Sequence, residues 1–580
     1  MSPVAYLLLV WVSGALAFLI GPVPNLPMTG PATGEEGKFR FAAVASNTDT
    51  CARVGTDMMA KNGGNAVDGM VATLICNGLV RYQSSGIGGD SMWTIYHRKT
   101  GQAYAINARS TAPKASYPTM YANSSRGTIE GGSSVAVPGE VLGMWEAHQL
   151  LGRLPWKELF QPSIRLALEG FPCEPIQASA IRSQLNSGVY DRWPQLRNLV
   201  TNPETQTWYR AGETVRNPKL AHTLQRLADG GAAEFYNGSL ADDMVAEIQA
   251  AGGIITKEDF SSYAVQFQTP LRLDLHGNLT IFSPGLPSSG PVLHYILNIL
   301  SGYQMSPDDI STDDKTVLTY HRMIESFKHA YSARSKMGST DGETADFVRE
   351  MEQLVANITS RDQGEAIRAS ISDTTTYPWT SYHPSFVVTE DHGTSNLAVL
   401  GPDGDAVTVT STVNLFFGSK VVGDKTGVVY NNLMDDFSVP DRVNDFDVEP
   451  SPANFIKPGK RPLSSMSPSV VVDQEGQVVL AVGAGGGTKI TTTTAFLTAM
   501  TLWMGEGIKS SIDAPRIHHQ LYPDVVEMTA VSPQWLLEGL RHKGHNVTIT
   551  SGVFSSPTGI LQRQEGAVTA NAQNATVDGY

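Results

Sequence analysis

Cysteine, charge and clustered metal ligands are all scarce in this chain of 580 residues. It has three cysteines, 17% charged residues and 41% hydrophobic residues, a composition compatible with a globular protein. The sequence has no His/Cys cluster with metal-ligand spacing, no heptad pattern, no internal repeat and no long low-complexity tract. These absences argue against zinc modules, coiled coils and solenoids. The formal net charge of −14 argues against nonspecific binding to nucleic acid or anionic lipid.

Nucleotide-binding glycine motifs are also missing. Two glycine-rich stretches, GIGGD at 86–90 and GAGGGTK at 483–489, match neither the Rossmann fingerprint nor the P-loop. We predict no metal and no organic cofactor. The length exceeds what one core of typical size needs, so either two domains or one large layered domain is expected.

A hydrophobic run from Val4 to Ile20 stands at the N-terminus. It contains an A-x-A-like cleavage signal at 15–17, is short for a membrane span and lacks the usual basic segment before it. We predict a signal peptide over 1–17, a linker over 18–40 and a secreted protein. Six N-x-[ST] sequons agree with export and are glycosylation acceptors where they are exposed: Asn123, Asn237, Asn278, Asn357, Asn546 and Asn574.

The most informative stretch begins at Gly393-Thr394. An apolar run, 395–400, and an alternating run, 406–414, flank a Gly-Pro-Asp-Gly turn, which predicts a β-hairpin. Thr394 is then the start of a core strand. After a cut before it, its free α-amine, with a reference pKa of about 7.7–8.0, could take the hydroxyl proton and make Thr394 a nucleophile. On the local pattern alone, a threonine that simply begins a strand is an equal alternative.

Helices predominate before Thr394 and strands after it, which predicts a mixed α/β fold. The segment 371–393 has few apolar runs and predicts a loop leading to Thr394. The helical patterns lie at 51–61, 65–79, 139–170 with a break at 154–156, 217–229, 240–251, 291–301, 315–333, 344–357, 488–503 and 533–540. The strand patterns, besides the hairpin, lie at 41–46, 91–97, 103–107, 469–472, 477–482, 546–550 and 558–562.

Many stretches along the chain closely resemble the γ-glutamyltransferases, also called γ-glutamyl transpeptidases or glutathione hydrolases, which are N-terminal-nucleophile hydrolases. The resemblance covers nearly the whole chain after the N-terminal segment, in the family's order. The stretches that carry it are NGGNAVDG (62–69), GIGGD (86–90), INARSTAP (106–113), SVAVPGEVLG (134–143), GRLPWKELFQPSIRLALEGFP (152–172), SGPVLHYILNIL (289–300), TYHRMIESFKHAY (319–331), the GTS at 393–395, STVNLFFGS (411–419), NNLMDDFS (431–438), SPANFIKPGKRPLSSM (451–466) and GAGGGTK (483–489).

The resemblance implies an autoprocessed enzyme on a four-layer αββα sandwich. The maturation bond would be Gly393–Thr394, giving a large subunit of 41–393 and a small subunit of 394–580 that stay together as a heterodimer. Thr394 would attack the γ-glutamyl bond of glutathione or a related donor. The group would then pass to water or to an amino acid or dipeptide acceptor. The resemblance also keeps an uncleaved type II membrane anchor open as an alternative to the signal peptide.

Matching motifs imply roles for further residues. Gly486 and Gly487 would form the oxyanion hole, since glycines let backbone N–H groups approach a developing negative charge. The remaining implied positions bind the glutamyl group. Its α-carboxylate would be bound by Arg109, Ser464 and Ser465, and its α-ammonium by Asp436. Thr412 and Asn414 would contact the glutamyl group and the surroundings of the nucleophile. A guanidinium fork suits a carboxylate. Without the resemblance, each of these residues is an ordinary turn, loop or surface residue.

The cysteines fit an oxidising compartment. Cys51 and Cys76 flank two predicted helices and are expected to pair there, as the matching cysteines do in the resembled family. Cys173 is then left over, and a buried free thiol is expected for it.

Three positions depart from the family pattern. Leu433 stands where the family usually has a Glu that helps hold the substrate ammonium, and a lost hydrogen bond to a charged group costs about 1.5–3 kcal/mol. Asn396 stands where His is frequent, and Ser110 where Glu often follows the arginine. Leu433 motivates one alternative, a secreted pseudoenzyme that binds a γ-glutamyl ligand or a protein partner. A second alternative is another N-terminal-nucleophile amidase, such as a β-lactam acylase-like enzyme; Arg109 with Asp436 argues against it, since this pair suits an α-amino acid head group.

Overall fold

The computed structural model describes residues 34–122, 124, 126–384, 393–440, 450–550, 554–563, 566–573, 575 and 577–580. The predicted signal peptide, most of the predicted linker, and the sequons at Asn123 and Asn574 lie outside these ranges. Within the predicted linker, Gly37–Phe39 form a strand that pairs in a sheet, so part of that segment belongs to the fold. Within the described ranges, no helix combines the length and the apolar character that crossing a bilayer would require.

The strands are β1 Gly37–Phe39, β2 Ala43–Ala45, β3 Asp90–His97, β4 Gln102–Ala108, β5 Phe171–Pro172, β6 Thr201–Asn202, β7 Thr207–Trp208, β8 Thr214–Val215, β9 Gln266–Gln268, β10 Leu271–Leu275, β11 Leu279–Ser283, β12 Gly393–Leu400, β13 Ala406–Asn414, β14 Ser469–Val472, β15 Val478–Gly485, β16 Ile517–His518, β17 Val526–Met528, β18 Val547–Ile549, β19 Ser556–Gln562, β20 Val568–Ala572 and β21 Asp578–Gly579.

The α-helices are α1 Asp49–Ala60, α2 Ala66–Val80, α3 Glu140–Leu151, α4 Trp156–Glu169, α5 Pro175–Ser183, α6 Val189–Arg192, α7 Pro194–Val200, α8 Pro218–Tyr236, α9 Ser239–Ala250, α10 Lys257–Ser261, α11 Gly290–Ser301, α12 Asp313–Arg334, α13 Ala345–Thr359, α14 Arg361–Ser370, α15 Lys489–Leu502, α16 Ile508–Asp513 and α17 Gln534–His542.

Two seven-stranded antiparallel sheets form the centre of the molecule. Sheet A has the order β1-β20-β19-β15-β14-β11-β10, and sheet B has the order β21-β2-β12-β13-β3-β4-β9. The predicted hairpin is β12 and β13, which pair with Leu397 opposite Val409 and Leu400 opposite Ala406. Both hairpin strands lie in the interior of sheet B, where every one of their residues is buried.

Alternation along β12 shows how the layers are built. Leu397 and Val399 point into a core shared with helices α1, α2, α3, α4 and α8, whereas Ala398 and Leu400 point into the core between the two sheets. The outer face of sheet A packs on α11, α12 and α15 through a further core that includes Ile281. Helices therefore cover both outer faces, and the predicted αββα sandwich is confirmed.

Small residues let the two sheets approach each other. Asn396 on β12 reaches across to sheet A, where its amide lies 2.7 Å from Thr558 Oγ1 on β19, while Thr410 Oγ1 of the hairpin lies 2.8 Å away. Gly483 on β15 faces the same amide, since a Cβ there would lie 2.2 Å from Asn396 Oδ1. Asn396 is thus a buried bridge between the sheets.

Candidate active site

Thr394 lies at the first position where β12 and β13 come into register. Gly393 pairs with Asn414 and Thr394 pairs with Thr412, and the register shifts between these two pairs. Gly393 has no room for a side chain, because a Cβ would lie 2.2 Å from the Asn414 carbonyl oxygen. The irregularity places the candidate nucleophile, which is 94% buried, at the bulged end of a rigid hairpin.

The Thr412 hydroxyl connects the two sides of the predicted scissile bond. It donates to the Gly393 carbonyl oxygen, and it accepts from the Asn414 backbone N–H at 2.8 Å. Its oxygen also lies 3.0 Å from Thr394 Oγ1. A hydroxyl has one proton to donate and two lone pairs to accept with. Because Thr412 gives its proton to Gly393, the Thr394 hydroxyl proton points at Thr412.

A glycine turn after β15 lies against the nucleophile. A Cβ on Gly485 would be 2.2 Å from the Thr394 carbonyl oxygen, so only glycine permits this approach. Gly486 and Gly487 follow with φ values of 126° and 62°, which other residues rarely adopt. The turn leads directly into α15. The structure therefore brings the predicted oxyanion glycines next to Thr394.

A cavity of about 530 Å³ opens beside this pair. Thr394 and Gly486 both line it. Three cations line it, Arg81, Lys420 and Lys489. The other lining residues are apolar, polar or acidic: Ser84, Ile129, Ile176, Gln184, Leu415, Phe416, Glu527, Thr550, Phe554 and Ser556. A larger groove of about 1210 Å³ lies elsewhere, between the hairpin turns of β3–β4, β10–β11 and β14–β15, and none of the predicted catalytic residues line it.

Arg109 is fully buried and ion-paired on two sides. Its Nη1 lies 3.2 Å from Asp90 Oδ2, and its Nη2 donates to Asp436 Oδ2. The same guanidinium also contacts the carbonyl oxygens of Pro462 and Leu463, at 3.4 and 3.3 Å. The structure thus brings together Arg109 and Asp436, as the sequence predicts, and adds a carboxylate that the sequence analysis did not assign.

That additional residue, Asp90, begins β3 directly after the GIGGD glycines. It also accepts from the Ser110 backbone N–H at 2.7 Å. Burial raises the pKa of Asp90, with Arg109 and Ser110 opposing the shift, and burial likewise raises the pKa of Asp436, with Arg109 opposing. Two carboxylates share one guanidinium, so this cluster favours an additional cation.

A second arginine, Arg334, links the two serines of the PLSSM motif to this cluster: it contacts Ser465, and its charge acts on Asp436. Arg334 Nη2, at the end of α12, donates to Ser465 Oγ at 3.0 Å, and Ser464 Oγ accepts from the Met466 N–H at 3.2 Å. In the part of the chain that the structure describes, no acceptor is found for either serine's own proton. Both hydroxyls can therefore donate to an incoming carboxylate. Arg334 was not predicted.

The Asn414 side chain carries a buried hydrogen-bond acceptor. Its φ is 74°, and its Nδ2 donates to the Asn432 carbonyl at 3.1 Å. Its Oδ1 is buried and, among the described residues, has no hydrogen-bond partner. A buried acceptor without a donor is costly, so a ligand donor at this atom would be stabilising.

Leu433 does not face an open polar site. It is fully buried in an apolar cluster with Tyr121, Met434, Phe437 and Ile456. Its N–H is held by Asn431 Oδ1 at 2.9 Å. The position is therefore part of a packed core in this chain, and it offers a ligand no polar group.

The cysteines match the sequence analysis. Cys51 and Cys76 form a disulfide that joins α1 to α2, with their Cα atoms 5.3 Å apart, and Cys173 is a buried free thiol. Burial raises the pKa of Cys173 to about 12, so its thiol is unreactive. Four sequon asparagines are exposed: Asn237, Asn278, Asn357 and Asn546.

One group of side chains has the composition of a metal site. His321, Glu325 and His545 are buried, with potential ligand atoms within 4.8 Å of one another. Their atoms are already engaged: His321 Nδ1 lies 2.7 Å from His545 Nε2, and Glu325 accepts from the hydroxyls of Thr376 and Tyr382. These contacts hold the chain that leads to Thr394 against α12. Glu325 therefore serves as a hydrogen-bond acceptor here.

Sequence and structure comparisons agree with this arrangement. The family model described as Gamma-glutamyltranspeptidase matches residues 51–579. Scoloptoxin SSD14 from Scolopendra dehaani is 41% identical over 551 residues, covering 94% of this chain and 93% of that protein. Glutathione hydrolase 2 from Arabidopsis thaliana is 38% identical over 489 residues, covering 83% and 81%.

Among solved structures, the cephalosporin acylase from Bacillus halodurans superposes with a TM-score of 0.80 at 24% identity. The superposition covers 95% of this chain and 98% of that one. At this identity the likeness shows a shared fold and nothing about substrate.

Proposed function

The chain belongs to the γ-glutamyltranspeptidase family, and on that basis we propose that it is a γ-glutamyltransferase that cuts itself before Thr394 and uses this residue as its nucleophile. The observation that carries the proposal is the contact of one hydroxyl, that of Thr412, with both Gly393 O and Thr394 Oγ1. Donors are glutathione and related γ-glutamyl compounds. Acceptors are water, amino acids or dipeptides.

Maturation uses the same contacts. Thr394 Oγ1 attacks the Gly393 carbonyl carbon while its proton leaves toward Thr412. The negative charge that develops on Gly393 O is stabilised by the Thr412 hydroxyl. The Gly393–Thr394 C–N bond then breaks and the nitrogen takes a proton, which leaves an ester on Oγ1. Water hydrolyses the ester and releases a Gly393 carboxylate and a free Thr394 amine.

The freed amine is the general base of the mature enzyme. It takes the Thr394 hydroxyl proton as Oγ1 attacks the γ-carbonyl of the donor. Backbone N–H groups of Gly486 and Gly487 hold the oxyanion, an effect worth about 3–4 kcal/mol for a single donor in other enzymes. The leaving amine takes the proton, and a γ-glutamyl ester on Thr394 remains for the acceptor. The chain's own groups supply every proton transfer in this scheme.

The head group of the donor binds at the Arg109–Asp436 ion pair. An α-ammonium and an α-carboxylate inserted between these side chains replace one ion pair with two. The ammonium pairs with Asp436 and with Asn414 Oδ1, and the carboxylate pairs with Arg109 and with the hydroxyls of Ser464 and Ser465. Asp90 supports this exchange, because it keeps Arg109 in place while Asp436 changes partner.

The proposal includes an exported heterodimer of the two cleavage products. A disulfide and four exposed sequons support export, since both belong to oxidising, glycosylating compartments. The heterodimer is supported by the sheet order, in which strands from before and after Thr394 pair with one another in both large sheets.

The test combines a denaturing gel with N-terminal sequencing and a γ-glutamyl anilide assay. The purified protein should give two bands, the smaller one beginning at Thr394, and should release the anilide chromophore. Thr394→Ala should give one uncut, inactive chain. A single uncut wild-type band would refute the proposal. Two bands without chromophore release at high protein concentration would favour a binding protein that keeps the fold.

A further inference from the structure

The C-terminal part of helix α12 contacts the segment that follows the glycine turn after β15. Tyr331 on this helix is buried, and its hydroxyl donates to the Thr488 carbonyl oxygen. Thr488 comes directly after Gly486 and Gly487, the two glycines next to Thr394. One side chain from a distant helix therefore holds the backbone one residue beyond the predicted oxyanion hole.

The Thr488 side chain is held as well as its carbonyl. Thr488 stands at the N-cap position of α15, where a threonine hydroxyl ordinarily accepts from the first free N–H groups of the helix. Here it makes no such bond and instead donates to Gln520 Oε1 at 2.5 Å. The Gln520 amide is itself fixed, because its Nε2 donates to the Tyr522 carbonyl at 3.1 Å. The usual helix cap is thus replaced by a bond that orients Thr488.

His518 connects Gln520 to the first turn of α15. Its Nε2 lies 3.0 Å from Gln520 Oε1, and its Nδ1 lies 2.8 Å from Thr492 Oγ1. Because an amide oxygen can only accept, Nε2 carries the proton and Nδ1 is the acceptor. Burial lowers the pKa of His518, which keeps the ring neutral. The ring also packs edge-on against Tyr331, with the ring centroids 5.9 Å apart. The side chains that hold Thr488 therefore belong to one packed cluster.

The same cluster reaches a serine that is predicted to bind the substrate α-carboxylate. Arg334 lies three residues after Tyr331 on α12 and donates to Ser465 Oγ, while Thr491 Oγ1 of α15 donates to the Ser465 carbonyl at 3.0 Å. The guanidinium carbon of Arg334 lies 5.9 Å from the centroid of the Tyr331 ring. The end of α12 therefore contacts both the segment after the oxyanion glycines and the head-group site.

The Tyr331 hydroxyl is a constant donor. Burial raises the pKa of Tyr331 to about 12, with Arg334 opposing the shift, so the phenol keeps its proton at neutral pH. A carbonyl oxygen accepts and cannot donate, so this bond has a single polarity. Gly486 and Gly487 have positive φ values and no side chains to pack, so their own restraint is weak. A fixed Thr488 supplies the restraint that keeps their N–H groups directed at one point.

We propose that Tyr331 is a positioning residue for the oxyanion hole; this inference rests on the proposed function. By holding Thr488, it keeps the N–H groups of Gly486 and Gly487 directed at the oxygen of the tetrahedral intermediate. Tyr331 does not line the cavity beside Thr394, so it acts through the backbone and does not touch the substrate. Its contribution is made in the transition state, where the charge develops, and not in substrate binding.

Self-cleavage and turnover should respond differently to the loss of this hydroxyl. In the proposed maturation step, the charge on Gly393 O is stabilised by Thr412. In turnover, the charge develops at the N–H groups of Gly486 and Gly487. Tyr331→Phe removes the hydroxyl and keeps the packed ring. This variant should therefore cut itself at the wild-type rate and then turn over substrate more slowly.

The test measures self-cleavage on a denaturing gel and steady-state kinetics with a γ-glutamyl anilide. In Tyr331→Phe, kcat should fall about tenfold while KM stays within about twofold, the signature of an interaction made only in the transition state. The loss should be smaller than the roughly 100- to 1,000-fold effect of removing a direct oxyanion donor in other enzymes. Thr488→Val removes the bond to Gln520 with little change of shape and should show the same split between kcat and KM.

Tyr320→Phe is the matched control. Tyr320 lies on the same helix and is buried against Phe496 of α15, with the ring centroids 5.7 Å apart. Within the described ranges, its hydroxyl has no hydrogen-bond partner. Self-cleavage, kcat and KM should all equal the wild-type values in this variant.

A wild-type kcat in both Tyr331→Phe and Thr488→Val would overturn the inference and leave the proposed function intact. Equal slowing of self-cleavage and turnover would also overturn it, since a general loss of structure affects both. A raised KM at unchanged kcat would do the same, by assigning Tyr331 to substrate binding. If Tyr331→Phe does not fold, Thr488→Val decides by the same criteria. No anilide release by the wild type would refute the proposed function, and the inference with it.

Discussion

The hydroxyl oxygens of Thr394 and Thr412 lie 3.0 Å apart at the end of the central hairpin. Thr412 also donates to Gly393 O, so it contacts the attacking atom and the attacked carbonyl together. Thr412→Val should slow self-cleavage about 10- to 100-fold, the loss expected from one hydrogen bond to a developing charge. Thr412→Ser should retain most of the rate. Band intensities of the cut and uncut chains on a denaturing gel, followed over time after synthesis, would measure the self-cleavage rate.

Thr408→Val is the matched control for this substitution. Thr408 lies on the same strand and face, and its hydroxyl is buried without a hydrogen-bond partner among the described residues. It should therefore be cut at the wild-type rate. Equal cleavage rates in both valine variants would show that Thr412 has no part in the reaction.

The ion pair of Arg109 and Asp436 should distinguish donors by their α-ammonium. A glutaryl anilide has the same acyl chain as a γ-glutamyl anilide but lacks the ammonium. Wild-type enzyme should prefer the γ-glutamyl compound in kcat/KM by about 100-fold, and Asp436→Asn should lose most of that preference. Asp90 keeps Arg109 paired in this variant. A preference that survives Asp436→Asn would assign ammonium recognition to another residue.

Leu433→Glu tests whether the family's usual glutamate can function in this chain. Because Leu433 is fully buried among apolar side chains, the new carboxylate should destabilise the fold by about 3 kcal/mol or more. Activity should not increase. Urea unfolding of the uncut Thr394→Ala background measures the change, with Leu433→Met as the conservative control. A stable, faster enzyme would show that the carboxylate reaches the substrate after all.

Acid should destabilise the protein through its buried histidines. Burial lowers the pKa of His545 to about 2, so only the unfolded chain takes up this proton as pH falls below about 6.5. Each such group removes about 1.4 kcal/mol of stability per pH unit below that value. Above pH 7 its contribution is constant.

Urea unfolding at pH 7.5, 6.0 and 5.0 would measure this slope. The neighbouring His321 also has a lowered pKa, so a substitution at either position should affect the pair. His545→Gln should lower the slope below pH 6.5, and His222→Gln serves as the exposed control. A slope identical to the wild type in His545→Gln would contradict the assignment.

Local patterns predicted the hairpin, the disulfide helices and most of the long helices, because turn residues and apolar periodicity act over a few positions. The residues that complete the site were harder to find. Asp90 and Arg109 are separated by the whole β3–β4 hairpin, and only its register, Ser91 opposite Ala108, brings them together. That register could have been deduced from the two strand patterns. The aspartate at the end of GIGGD was the available signal.

Contacts between distant segments could not be deduced in this way. Strands β9, β10 and β11 were not predicted, since their alternating residues are half exposed and the patterns are weak. The cavity beside Thr394 combines Arg81, which follows α2, with Lys420, which follows β13, and Lys489, which begins α15. Nothing in the sequence near any one of them indicates that they line the same cavity.

The order of strands in the two sheets has a consequence for how the protein comes apart. In sheet B the last strand, β21, lies beside β2, and the Tyr580 carbonyl accepts from the backbone N–H groups of Phe41 and Ala42. Cutting before Thr394 would thus give two polypeptides whose strands are hydrogen-bonded to each other within both sheets, so the two could not separate without breaking the sheets. Unfolding of the cut form would release two separate polypeptides, which must reassociate before the fold can form again. Its refolding should depend on protein concentration, whereas refolding of the uncut Thr394→Ala chain should not.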